Sequence, residues 1–339
     1  MAEPILEVLD LKVYFSVKKG IFSSTKSLVR AVDGVTFSMK EGDILTIVGE
    51  SGCGKTTLGK AVAGLVKPSS GKILFYGKDI YSMDKKEYMN YRRNVQMIHQ
   101  DPYASLNPVK TVYKILSTPL LRWGIVSGEE EARRRALDLL EIVGLTPPDY
   151  FINKYPHQLS GGQRQRLIVA RAISVEPKII VADEPITMID VSLRLGILDL
   201  LLDLRKKMGL TVIFITHDFG AARYFSAKGG GDIAVMYLGK IVEKGPAESV
   251  IQEPLHPYTK TLIAAVPEPD PKYSRTKERI RLRSLDIPSP INPPPGCRFH
   301  TRCPLYMEVC SEREPPLVQL TNDREVSCFL YTEFSEKKA

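Results

Sequence analysis

Gly49-Glu50-Ser51-Gly52-Cys53-Gly54-Lys55-Thr56 decides how this chain is read. The octet fits G-x-x-x-x-G-K-[ST], a loop whose backbone amides wrap phosphate groups. Ahead of it, Ile44 to Val48 is a short apolar run rich in β-branched residues, which predicts a buried strand. Behind it, Leu58 to Val66 predicts a helix, whose N-terminus favours negative charge. Glycines at 49, 52 and 54 permit positive φ or close backbone approach, so successive N–H groups can face an anion. Gly49, Ser51, Gly52, Cys53, Gly54, Lys55, Thr56 and Thr57 are therefore the candidate phosphate-binding residues. Lys55 is expected to reach the β- and γ-phosphates, and the Thr56 hydroxyl to help hold Mg²⁺. Cys53 reads as a small tolerated side chain rather than a redox device.

A second motif ends in two carboxylates. Ile179 to Ala182 is a continuous apolar run, as in a parallel strand covered on both faces, and it delivers Asp183 and Glu184 at its C-terminal end. Beside a phosphate loop, Asp183 is expected to hold Mg²⁺ and Glu184 to orient and deprotonate the attacking water. Between the two motifs lies Leu159-Ser160-Gly161-Gly162-Gln163. Ser160 is a good N-cap for a following helix.

With that third motif in place, the chain resembles the nucleotide-binding subunit of an ABC transporter. The resemblance implies an α/β fold: a P-loop NTPase cassette with a RecA-like core, an N-terminal antiparallel β region and a helical subdomain. Further landmarks follow the family's order. Gln100 matches the Q-loop, Asp190 the D-loop and His217 the switch histidine, while Phe15 or its neighbour Tyr14 matches the aromatic that stacks on adenine. In the family, ATP on one subunit's loop is covered by the signature of a second subunit, here Ser160, Gly161, Gly162 and Gln163. Gln100 and Thr56 join Asp183 around Mg²⁺, and catalysis falls to Glu184, His217, Gln100 and Lys55. The stretch Pro185-Ile186-Thr187-Met188-Ile189 departs from the usual residues before the D-loop aspartate but keeps apolar bulk.

Composition bounds the rest. The chain has 339 residues, 43% of them hydrophobic, enough for a large core plus an extension. A net charge of +8 from 47 basic and 39 acidic residues is modest and dispersed, which argues for solvated surface and against a nucleic-acid partner. No signal peptide is expected from the first residues, and no apolar run approaches the roughly 18–20 residues that span a bilayer. A transporter role thus requires separate membrane subunits.

Along the chain, a strand-rich region to about residue 100 gives way to a helical pattern over about 105–170. There Ala136, Leu139, Leu140 and Val143 share a face. A helix is predicted over Val191 to Met208 with Leu193, Ile197, Leu200, Leu201 and Leu204 inward, and Gly229-Gly230-Gly231 reads as a flexible loop. The most basic stretch, Lys272 to Arg283, reads as an exposed linker. No internal repeat supplies a second cassette, so one chain provides half a dimer. The expected division is a cassette over 1–255 and a C-terminal extension over 256–339.

The extension holds four of the five cysteines, Cys297, Cys303, Cys310 and Cys328, spaced C-x5-C-x6-C-x17-C. Such grouped thiols suggest a metal site more than disulfides. The spacing is wider than a zinc ribbon requires, and a 4Fe–4S cluster tolerates it better, with zinc the lesser alternative and buried free thiols the plain one. Leu255-His256-Pro257-Tyr258 followed by Cys297-Arg298-Phe299-His300-Thr301-Arg302-Cys303-Pro304 is similar to the C-terminal extension of the dipeptide/oligopeptide transporter subfamily. That resemblance implies a 4Fe–4S cluster on the four cysteines. His256 and His300 are alternative ligands, or simply hydrogen-bonded loop residues.

The resemblance implies an ATP hydrolase at the cytoplasmic face of the membrane that energises import of peptides. It would pair with a homologous ATPase subunit, two permease subunits and an extracytoplasmic solute-binding protein. The same machinery in relatives imports oligosaccharides or nickel. A soluble ABC ATPase without a permease is the rival of another class. Such proteins carry tandem cassettes or a long coiled-coil insertion, and only about 100 residues separate Thr56 from Leu159 here.

Overall fold

A computed structural model describes residues 3–18, 26–266, 280–321 and 323–332. Most of the basic stretch from Lys272 lies outside the described residues.

Two sheets form the frame. Strands β1 (Leu6–Lys18), β2 (Lys26–Met39), β4 (Ser70–Phe75) and β5 (Lys78–Asp79) make an antiparallel sheet in the order β2-β1-β4-β5. The second sheet has eight strands. Its parallel centre comprises β3 (Ile44–Val48), β6 (Val95–Ile98), β7 (Ile179–Asp183), β8 (Thr211–Thr216) and β9 (Asp232–Tyr237), in the order β9-β3-β8-β7-β6. Every residue of β3, β7 and β8 is buried, which explains their unbroken apolar sequence: helices cover both faces. Strand β3 has the predicted bounds.

The helical segment contains Val112–Arg122, Glu129–Ile142 and Gly161–Ile173, with Asn107-Pro108 ahead of the first and Pro147-Pro148 between the second and third. Ala136, Leu139, Leu140 and Val143 are buried together. Val191–Met208 is one helix, as predicted, with Ile197, Leu200, Leu201 and Leu204 inward. Leu193 departs from the predicted face and is 48% exposed, because the first turn projects past the core.

The three consecutive glycines do not form a flexible loop. Gly229 ends the helix Phe219–Gly229, Gly230 terminates it in the left-handed conformation at φ 68, and Gly231 donates to Ser226 O at 2.9 Å. A Cβ on Gly231 would lie 2.5 Å from Ile44 Cβ, so the absence of a side chain lets this segment pack directly on β3.

The region beyond residue 255 is woven into the main sheet. β10 (Lys240–Pro246) pairs with β9 on one side and with β12 (Arg324–Val326) on the other, and β11 (Val318–Thr321) follows β12. Tyr258, Phe299 and Cys303 share one core with Val48, Ile233, Val235 and Tyr237. Buried Glu243 of β10 pairs with Arg324 at 2.8 Å and accepts from the backbone N–H groups of Leu255 and His256, each at 2.9 Å. His256 is fully buried, and its Nδ1 accepts from Tyr258 N at 3.0 Å, capping the helix Pro257–Ala264. Burial pushes its pKa down to about 3.

Two outcomes follow. Gly231→Ala should lower stability by about 1–3 kcal/mol through overpacking against Ile44, read as a shifted urea midpoint at unchanged slope. Because the His256 pKa is depressed in the folded state, unfolded chains take up its proton first as pH falls. Its contribution to stability is intact above pH 6.5 and is lost between 6.5 and about 3. His256→Asn, which can still cap, should flatten that part of the stability–pH curve in urea titrations.

Candidate functional site

The C-terminal ends of β3, β7 and β8 open into one cavity of about 490 Å³, lined by Phe15, Val29, Ala31, Ser51, Gly52, Gly54, Lys55, Thr56, Thr57, Gln100, Glu184, Thr187, His217 and Pro290. Ten of these are sequence-predicted site residues; Val29, Ala31, Thr187 and Pro290 are not.

The loop between β3 and the helix Lys55–Val62 forms the floor. Gly54 stands at φ 106 as the N-cap, and a Cβ there would meet Ala31 O at 1.9 Å, so the tight turn into the helix admits only glycine. Of the two uses expected of these glycines, Gly49 shows close approach and not positive φ, since a Cβ would lie 2.1 Å from Met236 O. Lys55 is buried, its Nζ donating to Gly49 O at 2.8 Å and Glu50 O at 2.9 Å. Cys53 is buried beneath the loop, where burial pushes its thiol pKa up and leaves it inert.

Thr56 Oγ1 donates to Asp183 Oδ1 at 3.0 Å. Asp183 lies just behind the cavity wall, and burial raises its pKa. Hard oxygen donors grouped beside a phosphate loop suit Mg²⁺. Glu184 adopts φ 47, a conformation uncommon for a side-chain-bearing residue, and turns its carboxylate toward the cavity. Glu184 Oε2 is 2.8 Å from His217 Nδ1 and accepts from Thr187 Oγ1 at 2.9 Å. The resulting group has the parts for activating water beside a phosphate: a held carboxylate, an imidazole and a hydroxyl. The sequence flagged Thr187 only as part of an unusual apolar stretch; its position three residues past Glu184 was the available signal.

On the opposite wall, Phe15 of β1 faces the cavity while Tyr14 turns away and donates its hydroxyl to Asp33. Phe15 is thus the aromatic of the pair that lines the cavity. Pro290 reaches this wall from beyond residue 255, its carbonyl accepting from Arg30 N at 3.2 Å.

The signature residues do not enter their own chain's cavity. Ser160 caps the helix Gly161–Ile173 and forms a capping box with Gln163, Oγ accepting from Gln163 N at 3.3 Å and Ser160 N donating to Gln163 Oε1 at 3.0 Å. Ser160 is exposed, Gly161 and Gln163 half-buried and Gly162 buried. Asp190 is exposed at the N-terminus of the helix Val191–Met208.

The four cysteines of the expected metal centre lie near one another in the region beyond residue 255. Cys297, Cys303, Cys310 and Cys328 are free thiols, and among the described residues no three His, Cys, Asp or Glu side chains are arranged to hold a metal ion. A single zinc ion does not fit this arrangement. Burial, with the neighbouring thiols adding to it, pushes Cys297 up to about 12 and Cys328 up to about 11. His256 Nδ1 serves its helix cap, which leaves that ring's proton on Nε2, and His300 Nδ1 donates to Cys297 O at 2.8 Å; among the described residues neither histidine belongs to a metal-binding group.

Residues 32–187 match the ABC transporter family, and residues 242–310 match the oligopeptide/dipeptide transporter C-terminal region. The chain is 45% identical to the oligopeptide transport ATP-binding protein OppF of Salmonella typhimurium over 92% of each chain. It is 40% identical to the dipeptide transport ATP-binding protein DppF of Escherichia coli, over 97% of this chain and 95% of that one. Among solved structures, it is similar to a dimeric post-hydrolysis state of the ATP-binding cassette MJ0796 bound to ADP and Pi, with a TM-score of 0.61 and 27% identity over 71% of this chain and 98% of that one. Part of the cbiONQ complex, cbiO1 from Clostridium perfringens, gives the same TM-score at 30% identity, over 74% and 92% of the two chains. Its phosphate-loop motif, the Glu184–His217–Thr187 group beside it and these relationships together place the chain in the ABC transporter ATPase family, in the branch that carries the oligopeptide/dipeptide C-terminal region.

Proposed function

We propose that this chain is the ATP-hydrolysing subunit of a peptide importer and works as one half of a two-cassette dimer beneath a membrane permease. The observation that carries the reading is the Glu184–His217–Thr187 group at the mouth of the phosphate-loop cavity. The peptide class is supported by the C-terminal region shared with oligopeptide and dipeptide transporters. Among the described residues no helix is long and apolar enough to cross a membrane. In this reading two partner permease subunits supply the pore and this chain sits at their cytoplasmic face, as its similarity to oligopeptide and dipeptide transport ATP-binding proteins supports. A homologous ATPase completes the dimer, and a solute-binding protein delivers cargo from the other side.

In the proposed cycle, adenine stacks on Phe15 and the triphosphate takes the amides from Ser51 to Thr57. Lys55 exchanges the carbonyls of Gly49 and Glu50 for β- and γ-phosphate oxygens. Thr56, Gln100 and Asp183 would hold Mg²⁺, which when bound neutralises charge on those oxygens. Glu184, fixed by His217 and Thr187, orients a water and takes its proton. His217 stabilises charge at the γ-phosphate. Ser160, Gly161, Gly162, Gln163 and Asp190 close over the triphosphate bound by the second cassette, whose matching residues close over the γ-phosphate held here. That contact exists only while the phosphate is attached, so cleavage releases the dimer. Exposure of Ser160 and Asp190 at helix N-termini supports a site completed in trans.

We further propose that Cys297, Cys303, Cys310 and Cys328 hold a 4Fe–4S cluster with a structural role. Four unpaired thiols close enough to perturb one another suit a cluster, whose core is wider than a single ion.

Glu184→Gln should retain ATP binding, lose about 100-fold or more of hydrolysis and accumulate a closed dimer, measured by phosphate release and size-exclusion chromatography with ATP. Wild-type turnover would remove Glu184 from the base role. Cys303→Ser, purified anaerobically, should lose iron and visible absorbance; full iron content would remove Cys303 from the ligand set.

A further inference from the structure

The segment between Cys297 and Cys303 carries two buried arginines, and both reach out of the C-terminal region to acids of the cassette. Arg302 reaches the phosphate loop. Its Nη1 donates to Glu50 Oε2 at 2.8 Å and its Nη2 to Glu50 Oε1 at 2.9 Å. Such a fork-to-carboxylate pair is both strong and geometrically selective. The guanidinium is held in turn, 5.7 Å from the Phe299 ring centroid and 5.8 Å from that of Tyr237. Tyr258 packs tilted against the same platform, 4.6 Å from Tyr237, and its hydroxyl accepts from Glu50 N at 2.9 Å. Residues beyond 255 therefore fix Glu50 by backbone and side chain alike. Glu50 O then accepts from Lys55 Nζ at 2.9 Å, which passes the constraint to the phosphate-binding lysine.

Charge gives the arrangement its purpose. Glu50 is an anion inside a loop built to receive a polyanion, and an unpaired carboxylate there would oppose the triphosphate. Arg302 cancels it from below without entering the cavity. On the adenine side Arg298 pairs with Asp33 and donates to Leu238 O, and Asp33 accepts from Tyr14, the neighbour of Phe15 on β1.

We propose that Arg302 is a positioning residue for ATP: it neutralises and pins Glu50, so the affinity of the phosphate loop depends on the C-terminal region. The inference rests on the ATP-binding reading above and extends it to a residue outside the cavity.

Full-length variants titrated with a fluorescent ribose-modified ATP analogue, alongside steady-state ATPase assays, test it. Arg302→Met should weaken ATP binding about tenfold, raising KM with kcat within about twofold. Adding Glu50→Gln removes the orphaned carboxylate and should restore affinity to within about threefold of wild type. Arg324→Met breaks another buried ion pair of the region, the 2.8 Å contact with Glu243; it should lower the Tm and leave ATP affinity unmoved. Glu50→Gln alone, a check independent of whether Arg302→Met folds, should bind ATP at least as tightly as wild type.

Unchanged affinity in Arg302→Met would overturn the proposal. So would an equal loss in Arg324→Met, no recovery in the double variant, or a loss of about fivefold or more in Glu50→Gln alone. Wild-type protein that bound no ATP would overturn the functional reading itself, a result separable from each of these.

Discussion

The nucleotide site depends on the register of three parallel strands. Val48 of β3 sits opposite Thr216 of β8, and Ile215 of β8 opposite Asp183 of β7. All three strands are buried on both faces, so packing on each side resists a slip that would turn every side chain over. Gly49, Glu184 and His217 therefore leave the sheet at the same level, although long stretches of chain separate them. No helix or loop could impose that coincidence alone. The rest of the cavity is built around it: the tight turn at Gly54, the hydroxyl of Thr56 on Asp183, and Phe15 facing in from the other sheet.

Much of this was legible in the sequence because each motif encodes a local constraint. Unbroken apolar runs gave β3 and β7, and spaced glycines with a lysine gave the loop between strand and helix. Ten of the residues lining the cavity were named from these patterns and from the family's order. The failures share a cause: they concern contacts between distant parts of the chain. Gly231 resembles a loop residue until Ile44 is seen against it. Thr187 looks like apolar filler until its hydroxyl meets Glu184. Pro290 sits in a proline-rich stretch that reads as linker, yet it forms part of the wall beside Phe15. Spacing could suggest that the four cysteines gather, but not how burial would shape their chemistry.

The region beyond 255 changes meaning when seen in place. Composition marks it as an appendage, rich in proline and cysteine. Its side chains instead complete the core around Tyr237 and Ile233, and its arginines neutralise Glu50, Asp33 and Glu243. Each of those acids is largely or wholly withdrawn from solvent, and an isolated buried carboxylate is costly. The ion-pair partners of these three cassette acids are thus supplied late in the chain.

β12 lies alongside β10, and β11 lies outside β12. A fragment trimmed after residue 255 would strip that cover from β10 and bare a row of unpaired amides and carbonyls, the template for edge-to-edge aggregation. Shortening this protein to an isolated motor fragment would therefore give a sticky particle, whatever became of its ATP chemistry.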